Sequence, residues 1–260
     1  MVSVYKDLVA IYILTAALLI VGAGVALYYL DGYIWMAVVI IIVTIILFAV
    51  LKTLNKKALK RFSGEVFTLY NECHIKQYMD KLDSLMANKN SRANKSAYCY
   101  LSALGYEALG DADAAYERAQ GITVRSHKSE YIKRMIDYHI NKDQFVKARE
   151  YMAELTKLVN TSRTTEIYKK SIEQYLQLRD RKMRILKGDY EGAEEFFTEF
   201  LAQNEPLFLI TRVSISFSLG EVLYLKGDSV RAREYLVFAS ENGGDTKYKK
   251  QADEILAKIG

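Results

Sequence analysis

Two long stretches without a single charged side chain constrain this chain more than anything else in it. Residues 8–30, LVAIYILTAALLIVGAGVALYYL, run for 23 positions without a charge, and residues 33–51, YIWMAVVIIIVTIILFAVL, for 19. At a helical rise of 1.5 Å per residue these stretches reach roughly 34 and 28 Å, against a hydrocarbon core about 30 Å thick. A helix on the surface of a soluble core keeps one polar face, and neither stretch has one. A segment in lipid must satisfy its own backbone hydrogen bonds, so each stretch is expected to span a membrane as a helix. Only Asp31 and Gly32 separate them, which implies a tight antiparallel hairpin, and Tyr28, Tyr29, Tyr33 and Trp35 gather at its tip as an aromatic belt does at an interface.

The segment that follows, KTLNKKALKR at 52–61, sets the orientation. Lys52, Lys56, Lys57, Lys60 and Arg61 stand there with no acid among them, so the positive-inside rule places this end and the rest of the chain in the cytoplasm. These five side chains are expected at the membrane surface, where each contributes about 1 kcal/mol against anionic head groups. Residues 62–260 hold 30 basic and 29 acidic side chains, so the basic balance of the whole chain is a property of the linker. That argues against a nucleic-acid partner, which needs a basic face on the domain itself. Cleavage after Gly24-Val25-Ala26 would leave one span and the same orientation. Gly22 and Ala26 are spaced for close helix packing, and no ionisable residue lies within either span, which excludes a transport path there. The minimal hairpin and the Lys-, Ile- and Tyr-rich composition point to a bacterial plasma membrane.

Beyond residue 61 the chain reads as helix throughout, with one proline, Pro206, and apolar residues recurring at three and four positions. An internal repeat runs through it. Around the turn at Gly227 lie Leu219 and Gly220, eight and seven positions before, Leu223 four before, Ala232 five after, Leu236 nine after and Ala239 twelve after. The same template fits Asp143 through Met135, Ile136, His139, Ala148, Met152 and Leu155, and Gly110 through Ala103, Tyr106, Ala115, Ala119 and Ile122. At Gly188 the second helix fits through Ala193, Phe197 and Phe200, while Arg181 and Arg184 stand where packing residues belong. A faint copy turns near Lys76, with Leu69, Tyr78 and Leu85. The intervals are 34, 33, 45 and 39 residues, so longer helices or loops are expected near 160–173 and 207–212.

This pattern resembles the tetratricopeptide repeat, an antiparallel helix pair of about 34 residues. LGEVLYLKGDSVRAREYLVFA carries the likeness best, and GDYEGAEEFFTEF makes a good second half. The resemblance implies an all-α fold: a transmembrane hairpin at 1–51, the linker at 52–61, and at 62–260 a TPR-like α-solenoid of about four to five helix pairs, closed by a polar-faced capping helix from Lys247 to Ile259. In such an array the first helix of each pair lines a concave side. Helical spacing then turns Tyr100, Leu104 and Glu107 inward from one pair, and Lys133, Asp137 and Ile140 from the next. Leu178, Lys182 and Ile185 follow, then Phe217, Glu221 and Tyr224. Aromatic, aliphatic and charged groups along one groove suit a protein or peptide partner. The Lys/Asn clamp with which chaperone-tail binders of this family hold a terminal carboxylate is not matched, because its Asn members are missing.

No nucleophile elbow, Walker loop, HExxH or dinucleotide-binding turn occurs, so no enzyme activity and no cofactor are expected. Cys73 and Cys99 form no CxxC pair, and His74, His127 and His139 have no metal-ligand spacing, so no metal is expected either. The function expected is that of a membrane-held adaptor at the cytoplasmic face. The alternatives are an accessory subunit docked through its hairpin and a peptide-sensing regulator.

Overall fold

The computed structural model describes residues 21–22, 24, 39, 42–46, 49–50, 53, 64–86, 92–161, 164–203 and 207–260. The chain divides into two compact units, Met1–Glu65 and Val66–Gly260. The expected spans at 8–30 and 33–51 and the basic linker at 52–61 lie mostly outside the described residues. Those described there are helical. Among the described residues no helix is long and apolar enough to cross a membrane.

The second unit is all-helical, with no strand among its described residues. Residues 66–71 are helical and lead into α1 (Ile75–Met86), α2 (Arg92–Leu109), α3 (Ala112–Gln120), α4 (Lys128–Asn141), α5 (Phe145–Thr161), α6 (Glu166–Leu186), α7 (Ala193–Gln203), α8 (Leu209–Leu225), α9 (Ser229–Asn242) and α10 (Lys247–Ile259). A short 3-10 turn, Arg125–His127, precedes α4. The long intervals in the repeat are taken up mostly by helix: α5 has 17 residues and α6 has 21.

Five turns share one hydrogen-bond pattern. Cys73, Gly110, Asp143, Gly188 and Gly227 each take a positive φ. In every case the following N–H reaches the carbonyl five residues back: His74 to Leu69 at 2.8 Å, Asp111 to Tyr106 at 2.9 Å, Gln144 to His139 at 2.8 Å, Asp189 to Arg184 at 3.0 Å and Asp228 to Leu223 at 2.9 Å. This is the Schellman closure, which uses the last free carbonyls of one helix while reversing the chain. Asp111 and Asp228 then cap the next helix by accepting from the N–H of Ala114 and Arg231, at 2.9 and 3.1 Å. The first turn therefore falls at Cys73, three residues before the Lys76 that spacing indicated. Its copy is faint because Tyr78 occupies the position held elsewhere by Ala115, Ala148, Ala193 and Ala232. Tyr78 is fully buried and donates to the Leu101 carbonyl at 2.8 Å.

The close approach that the small residues predict is clearest between α8 and α9. A Cβ on Gly220 would lie 2.8 Å from Leu236 Cγ and 3.2 Å from the Ala232 carbonyl, so only glycine lets these backbones come this near. Between α6 and α7 the opposite holds, and their backbones hardly approach one another. Arg181 lies there instead, its guanidinium 5.2 Å from the centre of the Phe196 ring and donating to the Glu191 carbonyl at 2.6 Å. Replacing a small residue by arginine holds the pair apart.

A row of pairs that touch only their neighbours would leave both ends free. In the second unit the ends meet. Asp245 N–H donates to the Cys73 carbonyl at 3.0 Å, and Cys73, Ile75 and Ala108 share one buried cluster with Leu219, Val222 and Ala252. Gly244 makes this junction possible: with φ +52, its Cβ would stand 2.3 Å from the Cys73 oxygen. The last helix is therefore more than an end cap, because it joins the first pair to the last.

Candidate functional site: a cavity among the first helices

A cavity of about 810 Å3, open to solvent, lies among α2, α4, α6 and α8, with Phe197 of α7 and residues of α10 on its walls. Its walls include Glu107, Asp137, Leu178, Lys182, Phe217 and Glu221, and Ile140 and Ile185 join them. Of the other side chains expected to point inward, Tyr100 packs beside the His127 ring with centroids 6.1 Å apart. Leu104 is half-buried outside the cavity wall. Lys133 bonds Glu130 at 2.9 Å and lies 5.7 Å from the Tyr175 ring centre. Tyr224 packs against the shared core. Each of the four stands as far from its turn as a residue that does line the cavity, Leu104 six before Gly110 like Asp137 before Asp143, so position in the repeat does not separate them from the walls.

Three equivalent positions, each six residues before a left-handed turn residue, present charges to this space: Asp137, Lys182 and Glu221. Asp137 is fully engaged. It accepts from Tyr175 Oη at 3.0 Å and from Arg179 Nη2 at 3.2 Å, with a further bond from Arg179 Nε, and Arg134 stands 3.9 Å away. Burial by itself would raise the Asp137 carboxyl, but Arg179 and Arg134 outweigh it and hold the group below its usual range. Glu107 completes the network by pairing with Arg134 and by standing 3.6 Å from Arg179. Tyr175, buried beside the Asp137 carboxylate, has its hydroxyl pushed far up. Among the described residues, Arg134 Nε is the one buried side-chain nitrogen or oxygen without a hydrogen-bond partner.

Lys182 and Glu221 are less completely served. The Lys182 ammonium donates to Asn141 Oδ1 at 2.9 Å. Burial, Lys247 and Arg179 together lower its pKa to about 8. Burial raises the Glu221 carboxyl, and the charge of Lys182 offsets this only in part. The two side chains sit on α6 and α8 and, among the described residues, form no ion pair with each other, although each charge acts on the other. Around them Ser214, Ser218 and Lys250 alternate with Leu178, Ile215 and Phe217, whose ring centre is 5.8 Å from that of Tyr248. Leu186 and Leu225, each about half exposed at 49% and 46%, flank the space.

Sequence spacing did not reveal Asn141, Arg179, Lys247 or Tyr248. Lys247 and Tyr248 belong to α10, whose polar face reads as an outer surface until the ends are known to meet. The arginines of α6 were the available signal, since charged groups at packing positions mark a pair that does not close.

The cavity holds no His, Cys, Asp and Glu grouping suited to a metal, and no such group of three occurs among the described residues. Cys73 is buried and its thiol is pushed up to about 11 by desolvation, which makes it a poor nucleophile. Comparisons with protein-family models, with characterised proteins and with solved structures found no match for this chain.

Proposed function

We propose that this chain is a membrane-anchored adaptor, built as a TPR-like array whose ends have closed, and that its cavity receives a short segment of a protein partner. The observation that carries the reading is the cavity itself: charged and polar side chains interleaved with Leu178, Phe217 and Tyr248 along its walls, at a volume within the roughly 300–1,000 Å3 typical of ligand sites. The five equivalent turns support the array. The anchor is supported by the charge-free stretches at 8–30 and 33–51, and by Val21, Ile42, Ile45, Ile46 and Val50, apolar helical side chains exposed on the first unit. The basic linker at 52–61 then holds the array at the cytoplasmic face.

Photo-cross-linking in the native cell tests this reading on the full chain. A photoreactive residue in place of Leu178, on the cavity wall, is expected to trap a discrete protein partner. The same group at Ile167, 85% exposed and outside the cavity, is expected to trap none. Equal labelling from both positions, or none from Leu178, ends the proposal.

A further inference from the structure

The charges that face the cavity are unequally satisfied, and this identifies the chemistry of its occupant. Asp137 has Tyr175 and Arg179 as hydrogen-bond partners. Lys182, in the equivalent position on the next first-helix, has the neutral Asn141. Glu221, in the equivalent position on the one after, has no hydrogen bond or ion pair among the described residues, although it is half-buried on the cavity wall beside Phe217. A charge drawn partly out of water without a hydrogen-bonded counter-charge destabilises a fold. Two opposite charges on neighbouring helices that do not meet leave one vacancy for an anionic group and another for a cationic group.

We infer that the occupant is a short extended peptide carrying one basic and one acidic side chain two residues apart, the base meeting Glu221 and the acid meeting Lys182. Residues two apart in an extended chain project to the same side, roughly 7 Å from one another. Lys182 and Glu221 stand farther apart than an ion pair, so one such residue can meet each of them. Apolar residues flanking the charged pair would lie on Leu178 and Phe217. Lys247, at the start of α10, reinforces the anionic subsite. The lowered pKa of Lys182 and the raised one of Glu221 agree with charges drawn partly out of water, whose effect on each other offsets only part of that burial. The inference rests on the adaptor reading and specifies what that site selects.

Fluorescence anisotropy on the full chain in detergent, with three labelled peptides, tests it: GLKLDLG, GLKLKLG and GLDLDLG. The wild-type chain is expected to bind the mixed-charge peptide at least about tenfold more tightly than either like-charged one, a difference typical of one desolvated charge pair. K182E is expected to turn the preference to the doubly basic peptide, and E221K to the doubly acidic one. K182M and E221Q are expected to weaken binding of the mixed peptide without creating a new preference, which separates lost contact from lost folding. K157E, at an exposed position on α5, changes the net charge equally and is expected to alter nothing. A preference that does not follow the two reversals, or one that shifts with K157E, overturns the inference, as does failure of all three peptides to bind the wild-type chain. If these fail while cross-linking from Leu178 persists, the adaptor reading stands and the charge rule falls. If both fail, both fall.

Discussion

Arg179 of α6 grips Asp137 of α4 through both Nε and Nη2, and its guanidinium lies 4.6 Å from the centre of the Tyr175 ring. This pair ties α4 to α6 at the place where α6 stands away from α7. Arg134 and Glu107 extend the tie to α2. Three first-helices are thereby joined through charge where small-residue packing is missing.

Breaking that pair leaves Asp137, 7% exposed, without its main counter-charge. R179M is expected to destabilise the fold by about 2–3 kcal/mol, near the lower end for buried pairs because Arg179 keeps some solvent contact. D137N should cost a similar amount, and the double variant less than the sum by about 1–2 kcal/mol. Chemical denaturation of the four proteins checks this. The Asp137 carboxyl titrates lower in the folded chain than in the unfolded one. Its contribution is therefore complete above pH about 4 and is lost as pH falls through the lower folded value. The gap between wild type and R179M should shrink in that acid range.

Lys182 gives the opposite dependence. Its pKa of about 8 lies below the roughly 10.4 of a free lysine, so the unfolded chain binds more protons between those values. Stability from this group rises with pH from about 8 to 10, and below 8 its full cost is felt. K182M is expected to raise Tm at pH 7 by about 2–4 °C, and the gain should fade as the pH approaches 10. The same variant should bind the mixed-charge peptide more weakly, a trade of activity for stability. Thermal melts across this range decide the point.

Gly227 isolates a backbone effect. Its φ is +88 and a Cβ there would meet nothing within 4 Å, so any cost of G227A is conformational. The expected loss is about 1–2 kcal/mol, with G227N milder because Asn tolerates the left-handed region. A loss near zero would show that the turn relaxes to another shape.

G244A reaches the junction of the two ends instead. Its Cβ would press on the Cys73 carbonyl, and relieving that contact separates Asp245 from Cys73. The expected cost is about 2–3 kcal/mol. Hydrogen exchange should quicken at the Asp245 amide and along both α1 and α10, while α4 and α5 keep their protection.

The sequence made much of the helical order readable, because a turn that needs a left-handed residue leaves a mark: Gly110, Gly188 and Gly227 stand at three reversals. Cys73 left none, since a cysteine with positive φ has no sequence signature and Tyr78 stands where a small residue marks the other pairs. Eight of the cavity's walls follow from helical phase, among them Asp137, Lys182 and Glu221. Phase also placed Tyr100, Leu104, Lys133 and Tyr224 beside them, but the same positions in other repeats line the cavity, so repeat position alone does not fix which side chains reach it. The meeting of the two ends depends on contacts between Cys73 and Asp245, which no local pattern encodes.

That junction also sets an order of events in the cell. The ribosome releases the first helix pair long before the residues that complete it, so Cys73, Ile75 and Ala108 wait for Ala252 with their apolar side uncovered. Local pairs such as α4 with α5 can form as they emerge, whereas contacts between distant parts of a chain form late and slowly. A chain that stops short of Gly244 would keep most of its helices and still carry an open seam at its beginning. Quality control that inspects exposed apolar surface would then read, at the first helices, whether Gly244 and Ala252 had been made.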